Sequence, residues 1–376
     1  MDRREFLKYS AASFAALLLQ KEPGYAGCVD NGPRCGFPER MLLIDAHAHP
    51  SIFACTPTWC DEASTIDKVT QIGMNMSSFA AVGDFKSPSL CQSYSFEETW
   101  KHLRDVVALQ SAGKIKIVGS VADIPIYSPL GAFVPGALLG LEGAAPLISP
   151  EIGSAGIPSL DTIFTRINRL YRLGLRSVTL MHDCANDLGG VMTDILSPEQ
   201  GGLTEIGRTI VIALMKRGII VDVAHAHVHT LEDIVEIALR YRVPIFDSHT
   251  ALASARNIGS RRRSIEEMKW IAQTGGVVCT WPVQVCMPNS TECPRYSLED
   301  WAEENFRIAG EIGFEHVALG TDGGGIGNNA NLVVGYESIL DLPRLAAAMR
   351  DAGFAPWEVA AYMGKNFYRI LRRCIG

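Results

Sequence analysis

The chain has 376 residues, 47% of them hydrophobic, and its 34 lysines and arginines against 41 aspartates and glutamates leave a formal charge of −7. That balance excludes a disordered chain, a collagen-like repeat and a dedicated nucleic-acid binder, because there is no basic excess to neutralise phosphates. Length alone allows two domains, yet one α/β barrel routinely takes about 250 residues or more.

In chain order, the first element is not part of a fold. Arg3 and Arg4 precede Phe6-Leu7-Lys8 and a short apolar run from Ala11 to Leu19. Such a run rises only about 14 Å as a helix, too little to span a bilayer. The pattern resembles a twin-arginine export signal, with small residues Gly24 and Ala26 at the −3 and −1 positions of a cleavage after Ala26. The reading is therefore a signal peptide over residues 1–26, a linker over 27–40 and a mature domain over 41–376, exported to the periplasm or cell exterior by the twin-arginine machinery. Tyr25-Ala26-Gly27-Cys28 also resembles a lipoprotein box, so a lipid anchor at Cys28 is the alternative. That route carries folded proteins, as suits a cofactor loaded before crossing. The ten cysteines include no CxxC pair, and in an exported chain disulfides are the expectation. No later stretch is apolar enough for a transmembrane helix.

From Met41 onward, short apolar runs alternate with helical patterns. The runs are MLLIDAH (41–47), MSSFAAVGD (76–84), IKIVGSV (115–121), ALLGLEG (137–143), RSVTLMH (176–182), GIIVDVAH (218–225), VPIFDSH (243–249), GVVCTWP (276–282) and HVALGTD (316–322). Helical periodicity covers Leu203 to Arg217, Thr230 to Tyr241, Ser264 to Thr274 and Leu298 to Ile312. Near-continuous apolar strands between helices predict a parallel sheet buried on both faces, and about eight such units predict a closed (β/α)₈ TIM-like barrel in a single domain. Residues 282–295, punctuated by Pro282, Pro288 and Pro294, read as an irregular loop pinned by Cys286 and Cys293.

Several runs end in metal-binding residues: His47 and His49, Glu142, His225, His249 and Asp322. In a parallel barrel all strands present their C-terminal ends on one face, so these residues converge there. One carboxylate and several imidazoles suit two divalent cations bridged by Glu142, with zinc expected. His47 and His49 alternate by two, which on a strand points both to one side, so they share one metal. His227 and His229 lie past the strand end and read as a solvated loop, and Arg261 to Arg263 as a solvated basic face. No GxSxG elbow and no HExxH occurs, which removes serine-hydrolase and thermolysin-type routes.

The segments IDAHAHP (44–50), LGLEG (139–143), GLRSVTLMHDCAND (174–187), GGLTEIGR (201–208), GIIVDVAH (218–225), VPIFDSHTALASARN (243–257), IGFEHVALGTDGG (312–324) and MGKNFYRIL (363–371) together resemble the membrane (renal) dipeptidase family of metallopeptidases. The resemblance covers nearly the whole mature chain. It implies a binuclear zinc hydrolase that cleaves dipeptides through a metal-bridging hydroxide. His47, His49 and Glu142 would bind one zinc, and Glu142, His225 and His249 the other. His182 matches the substrate-carbonyl histidine, Arg256 the carboxylate-binding arginine and Asp322 the proton-handling aspartate. It also implies a disulfide from Cys184 to Cys91. The first motif departs from the family: His-x-His replaces His-x-Asp, which leaves the centre one unit more positive. Two other functions remain open, the same centre acting on another carboxylated amide, lactam or ester, and a metal-loaded binding protein without turnover. A homodimer is also left open.

Overall fold

The computed structural model describes residues 41–50, 65–87, 90–126, 133–151, 155–184, 186–192, 201–253, 261–286, 293–324 and 331–376, with Phe37 and Gly153. The expected signal peptide (1–26), Cys28 and Arg256 lie outside the described residues. The chain divides into two compact units, Met1–Met41 and Leu42–Gly376, and the fold below is that of the second.

Eight parallel strands form the frame: β1 (Ile44–Ala48), β2 (Met76–Val82), β6 (Gly136–Glu142), β7 (Leu175–Thr179), β8 (Ile220–Asp222), β9 (Phe246–Thr250), β10 (Val277–Thr280) and β11 (Val317–Leu319), hydrogen-bonded in that order. The barrel nearly closes: Ala48 bridges Gly323 in parallel, and the Asp322 and His49 amides donate to His47 O (2.9 Å) and Gly323 O (2.7 Å). The IKIVGSV run is the exception to the expected repetition. Its strand β5 (Lys116–Ile117) is two residues long and pairs with the start of β6 on the edge opposite β2, ahead of β7, off the barrel path. A hairpin of β3 (Asp84–Ser87) and β4 (Leu90–Ser93) rises from the end of β2.

The helices follow from local chemistry. Helices α1 (Thr65–Gln71), α2 (Phe96–Ser111), α3 (Leu160–Leu173), α4 (Glu205–Arg217), α5 (Val228–Tyr241), α6 (Ile265–Gln273) and α7 (Leu298–Ile312) alternate with the strands. Ser95, Ser264 and Ser297 cap α2, α6 and α7 in capping boxes with Glu98, Glu267 and Asp300, which satisfy first-turn amides. The last helices are α8 (Leu342–Asp351), α9 (Pro356–Ala360) and α10 (Asn366–Ile375). Phe367, Ile370 and Leu371 of α10 pack into the core with Ile44, Met76, Leu138, Phe246 and Cys279. Arg369 donates to Gly275 O and Glu315 O, and Asn366 to Val317 O. All three carbonyls lie at or just before the starts of β10 and β11, so α10 plugs the N-terminal mouth and leaves the opposite mouth for chemistry. The Cys286–Cys293 disulfide pins the loop after β10. Among the described residues no helix is long and apolar enough to cross a membrane.

Candidate metal centre and substrate site

Five imidazoles surround one buried carboxylate at the C-terminal strand ends. Glu142 closes β6, and its oxygens lie 3.4 Å from His47 Nε2, 3.1 Å from His49 Nε2, 3.7 Å from His182 Nε2, 3.2 Å from His225 Nε2 and 3.6 Å from His249 Nε2. His47 and His49 face each other at 3.2 Å through Nε2, and His225 and His249 do so at 3.1 Å. Asp322 Oδ1 joins the first pair, 3.7 Å from His47 Nε2 and 3.4 Å from His49 Nε2. Among the described residues three groups therefore have the reach for a metal ion: His47, His49 and Asp322; His47, Glu142 and His249; and Glu142, His182 and His225.

Close backbone approach places these groups. A Cβ on Gly83 would fall 1.9 Å from Gly143 O, and one on Gly320 would fall 1.8 Å from Ser248 O, so neither position admits a side chain. His225 and Asp322 have left-handed backbone, at φ 63° and 54°. For residues other than glycine that conformation is strained, and such strain concentrates at functional sites.

Buried aspartates behind the cluster tie neighbouring strands together. Asp45 accepts the Thr321 amide (2.9 Å) and hydroxyl (2.6 Å), joining β1 to the end of β11. Burial pushes its carboxyl up to about 6, against those same hydrogen bonds. Asp222 accepts the Thr179 hydroxyl (2.6 Å) and the Ser248 amide (2.9 Å), joining β7, β8 and β9.

The imidazoles are oriented from behind, as metal-ligating histidines are. His49 Nδ1 donates to Ala80 O at 3.0 Å, His249 Nδ1 meets Ser248 Oγ at 2.7 Å, and His182 Nδ1 is hydrogen-bonded to Asp84 Oδ1. In each the Nε2 atom is the one left facing Glu142. Burial opposes charge on His49, but Asp322 and Glu142 outweigh it and hold that imidazole up at about 10. Burial opposes charge on His182 too, and Glu142 together with Asp84 raises it to about 9. His249 is pushed the other way by burial and by the charges of His47 and Arg261. Glu142 is itself held well below the ordinary carboxylate range, because the charges of His182 and His47 outweigh its burial. Anionic oxygens and Nε2 atoms crowded together, with protons held where a cation would neutralise the same charge, make a donor set that fits divalent metal ions.

Three residues that sequence reasoning passed over take part. Asp84, at the end of the MSSFAAVGD run, also accepts the Cys184 amide (3.2 Å) and fixes the His182 loop. Asp183 Oδ1 lies 3.5 Å from His225 Nδ1, an ion-pair distance without hydrogen-bond alignment. Its burial is outweighed by His225, His182 and Arg261, which hold it well below the usual carboxylate range.

The third is Arg261, and here the expected solvated face is wrong. The loop after β9 returns on itself: Ala253 N donates to Arg263 O (2.8 Å) and Arg263 N to Ala251 O (2.9 Å). That pairing carries Arg261 into the site, where Nη2 lies 2.7 Å from His225 Nε2 and also contacts His249 Nε2. Its Cζ sits 4.5 Å over the Trp281 ring. Arg263 is buried at 1% exposure, donating to Asp247 (2.8 Å), Val223 O (2.6 Å) and Ala226 O (2.8 Å). His229 is exposed as expected, but it lies on the first turn of α5 and not in a loop, and His227 is the half-buried N-cap of that helix.

A parallel α/β barrel with a histidine and carboxylate cluster at its C-terminal mouth is the class that fold and site define. The sequence profile of the membrane dipeptidase family, peptidase family M19, matches residues 142–374, and the chain belongs to that family. Dipeptidase verJ of Clonostachys rogersoniana is 28% identical over 224 residues, covering 60% of this chain and 55% of that protein. Dipeptidase tcpJ of Claviceps purpurea is 26% identical over 223 residues, covering 59% and 50%. The chain thus spans about half the length of the curated relatives it matches. Among solved structures, a Rhodobacter sphaeroides metallopeptidase liganded with a phosphinate mimic of the dipeptide L-Ala-D-Ala aligns with a TM-score of 0.70 at 18% identity, covering 89% of this chain and 99% of that one. An amidohydrolase from Pseudomonas aeruginosa aligns at 0.67 and 18%, covering 90% and 97%. At that identity the likeness shows the shared fold.

Proposed function

We propose that the protein is a metal-dependent dipeptidase acting on short peptides with a free carboxylate. The observation that carries this reading is the convergence of five Nε2 atoms on Glu142 within 3.1–3.7 Å, in a chain of the membrane dipeptidase family. Glu142 would be the shared ligand, with His47 and His49 holding one ion and His225 and His249 the other. Two divalent ions, zinc expected, would when bound polarise the scissile carbonyl and lower the pKa of a water.

The chain's own groups supply the rest. Asp322 takes a proton from the attacking water at Oδ1 and returns it to the leaving amine. His182, held through Nδ1 by Asp84, presents Nε2–H to the carbonyl oxygen as negative charge develops there. A cation held by His225 and His249 would take the same lone pairs that Arg261 meets, which would leave the guanidinium free for an anion. Arg261 thereby becomes available to the substrate carboxylate, beside Arg256, to which the resemblance gives that role. The twin-arginine signal remains the basis for proposing export to the periplasm or cell exterior, and fusion of residues 1–40 to a reporter tests it.

Elemental analysis of purified protein beside a dipeptide hydrolysis screen tests the reading. Two equivalents of divalent metal are expected, with both lost in Glu142→Ala and the first partly retained in His249→Ala. Full activity with one ion or none would overturn the binuclear assignment, and no turnover of any dipeptide would overturn the peptidase.

A further inference from the structure

Resting on the peptidase reading above, we infer that Trp281 is a substrate-binding residue whose indole N–H completes the carboxylate site begun by Arg261. Trp281 follows β10 directly, one residue beyond Thr280, at the mouth that holds the cluster. Its ring lies 5.4 Å from that of His249, and the Arg261 guanidinium sits over it at 4.5 Å. That stacking supports a cation while leaving its in-plane donors free.

Two donors in this corner have no acceptor among the described residues. Trp281 Nε1 and Arg261 Nε are both buried without a hydrogen-bond partner. Buried donors are nearly always paired, and an unpaired one costs free energy, so two on stacked neighbours call for an explanation. Packing does not supply it, because a phenylalanine would provide the same shelf without the orphaned N–H. A carboxylate does supply it, since its oxygens are acceptors without donors and match a guanidinium and an indole together. An amide or an ester offers a single weaker acceptor and no charge. Trp281 thus selects for the free C-terminus, while the chemistry at the carbonyl stays with the metal cluster and His182.

Trp281→Phe keeps the shelf and removes the donor, and Trp281→Leu removes both. In the metal-loaded protein, Trp281→Phe is expected to lower kcat/KM for a free dipeptide about tenfold. The loss should fall on KM, with kcat within about twofold and metal content unchanged. The amidated dipeptide, already poor, should be unaffected by Trp281→Phe, whereas Trp281→Leu should weaken the free dipeptide further by freeing Arg261. An equal loss on free and amidated substrates, or no loss on either, would overturn the inference. Calorimetric titration with alanine and alaninamide separates this inference from the peptidase reading. Tighter binding of alanine than alaninamide, reduced about tenfold in Trp281→Phe, would uphold the carboxylate site even if no dipeptide were cleaved. Equal affinity of alanine for both proteins would refute it whatever the turnover.

Discussion

Arg256 and Arg261 lie five residues apart in the sequence after β9, and Arg261 is the one among the described residues. Arg261 meets His225 and stacks on Trp281, so its loss removes a charged donor from the substrate's end of the site. Arg261→Met should lower kcat/KM for free dipeptides by at least about 2 kcal/mol with metal content intact, since a charged hydrogen bond contributes about 1.5–3 kcal/mol. Arg256→Met, measured beside it, tests the role that the resemblance gives Arg256, and the larger loss identifies the arginine that holds the carboxylate. Asp84 governs a different quantity. Its carboxylate lies on His182 Nδ1 and is one of the charges that favour a proton on that imidazole against its burial. Asp84→Asn preserves shape and removes charge, so His182 should lose its proton at lower pH. The alkaline limb of the kcat profile should move to lower pH, and kcat should fall about 10- to 100-fold, as for other groups that orient site histidines. An unmoved alkaline limb would show that His182 does not act as a proton-bearing donor.

Among the elements, those with strong local signals were legible in the sequence and those set by long-range pairing were not. The periodic stretch Leu298 to Ile312 is α7 to the residue, because its apolar face and the Ser297–Asp300 capping box agree. IKIVGSV reads as a strand like the others, yet only Lys116 and Ile117 pair, since β7 takes the same edge of β6 from Leu139 onward while β2 holds the opposite edge. Strand-end histidines were readable because a parallel barrel gathers every C-terminal end. Asp84 ended a run in the same way and was open to the same reasoning. Arg261 was not, because what brings it inward is the return of 261–263 onto 251–253. That loop also depends on Arg263, whose guanidinium ties Asp247 on β9 to the carbonyls of Val223 and Ala226 beside His225. Arg263→Met leaves Asp247 buried without its partner and should cost about 3–5 kcal/mol in chemical denaturation, the usual penalty for halving a buried pair. A loss under about 1 kcal/mol would mean that the staple is dispensable. The His182 loop has a covalent tie as well. Cys184 is disulfide-bonded, and the proposed partner is Cys91 on β4, whose side chain lies outside the described residues. Peptide mapping should recover that pair, and reducing it should cost about 2–4 kcal/mol.

Taken whole, the barrel divides its two ends, with the histidine and carboxylate cluster at one mouth and at the other a seal by α10, apolar but for Arg369 and Asn366. The seal has its own titration behaviour. Cys279 is buried in that core, and its thiol is pushed well above the ordinary range first by burial and then by the charges of Asp222 and Asp247. Cys374, near the end of α10, is pushed up to about 12 by burial. Neither cysteine is in a disulfide. Tyr362, bonded to Thr280, is likewise raised by burial from its ordinary value near 10. All three are acids that stay neutral in the fold and ionise sooner in the unfolded chain. Their contribution is complete below about pH 9, where both states hold the proton, and fades as pH climbs toward the folded values. Above pH 9 the unfolded state binds fewer protons, so unfolding free energy falls with pH, by about 1.4 kcal/mol per unit for each group that has titrated in the unfolded chain alone. Urea midpoints of the metal-loaded protein should therefore drop between pH 8.5 and pH 10.5, and Cys374→Ala should reduce that drop by about one group's share. At pH 8.5 both thiols should resist alkylation in the native protein and react on unfolding, because the thiolate is the nucleophile. Stability that stayed level up to pH 10.5, or rapid native alkylation at Cys374, would show that the end of α10 opens to solvent and that the seal is looser than its packing implies.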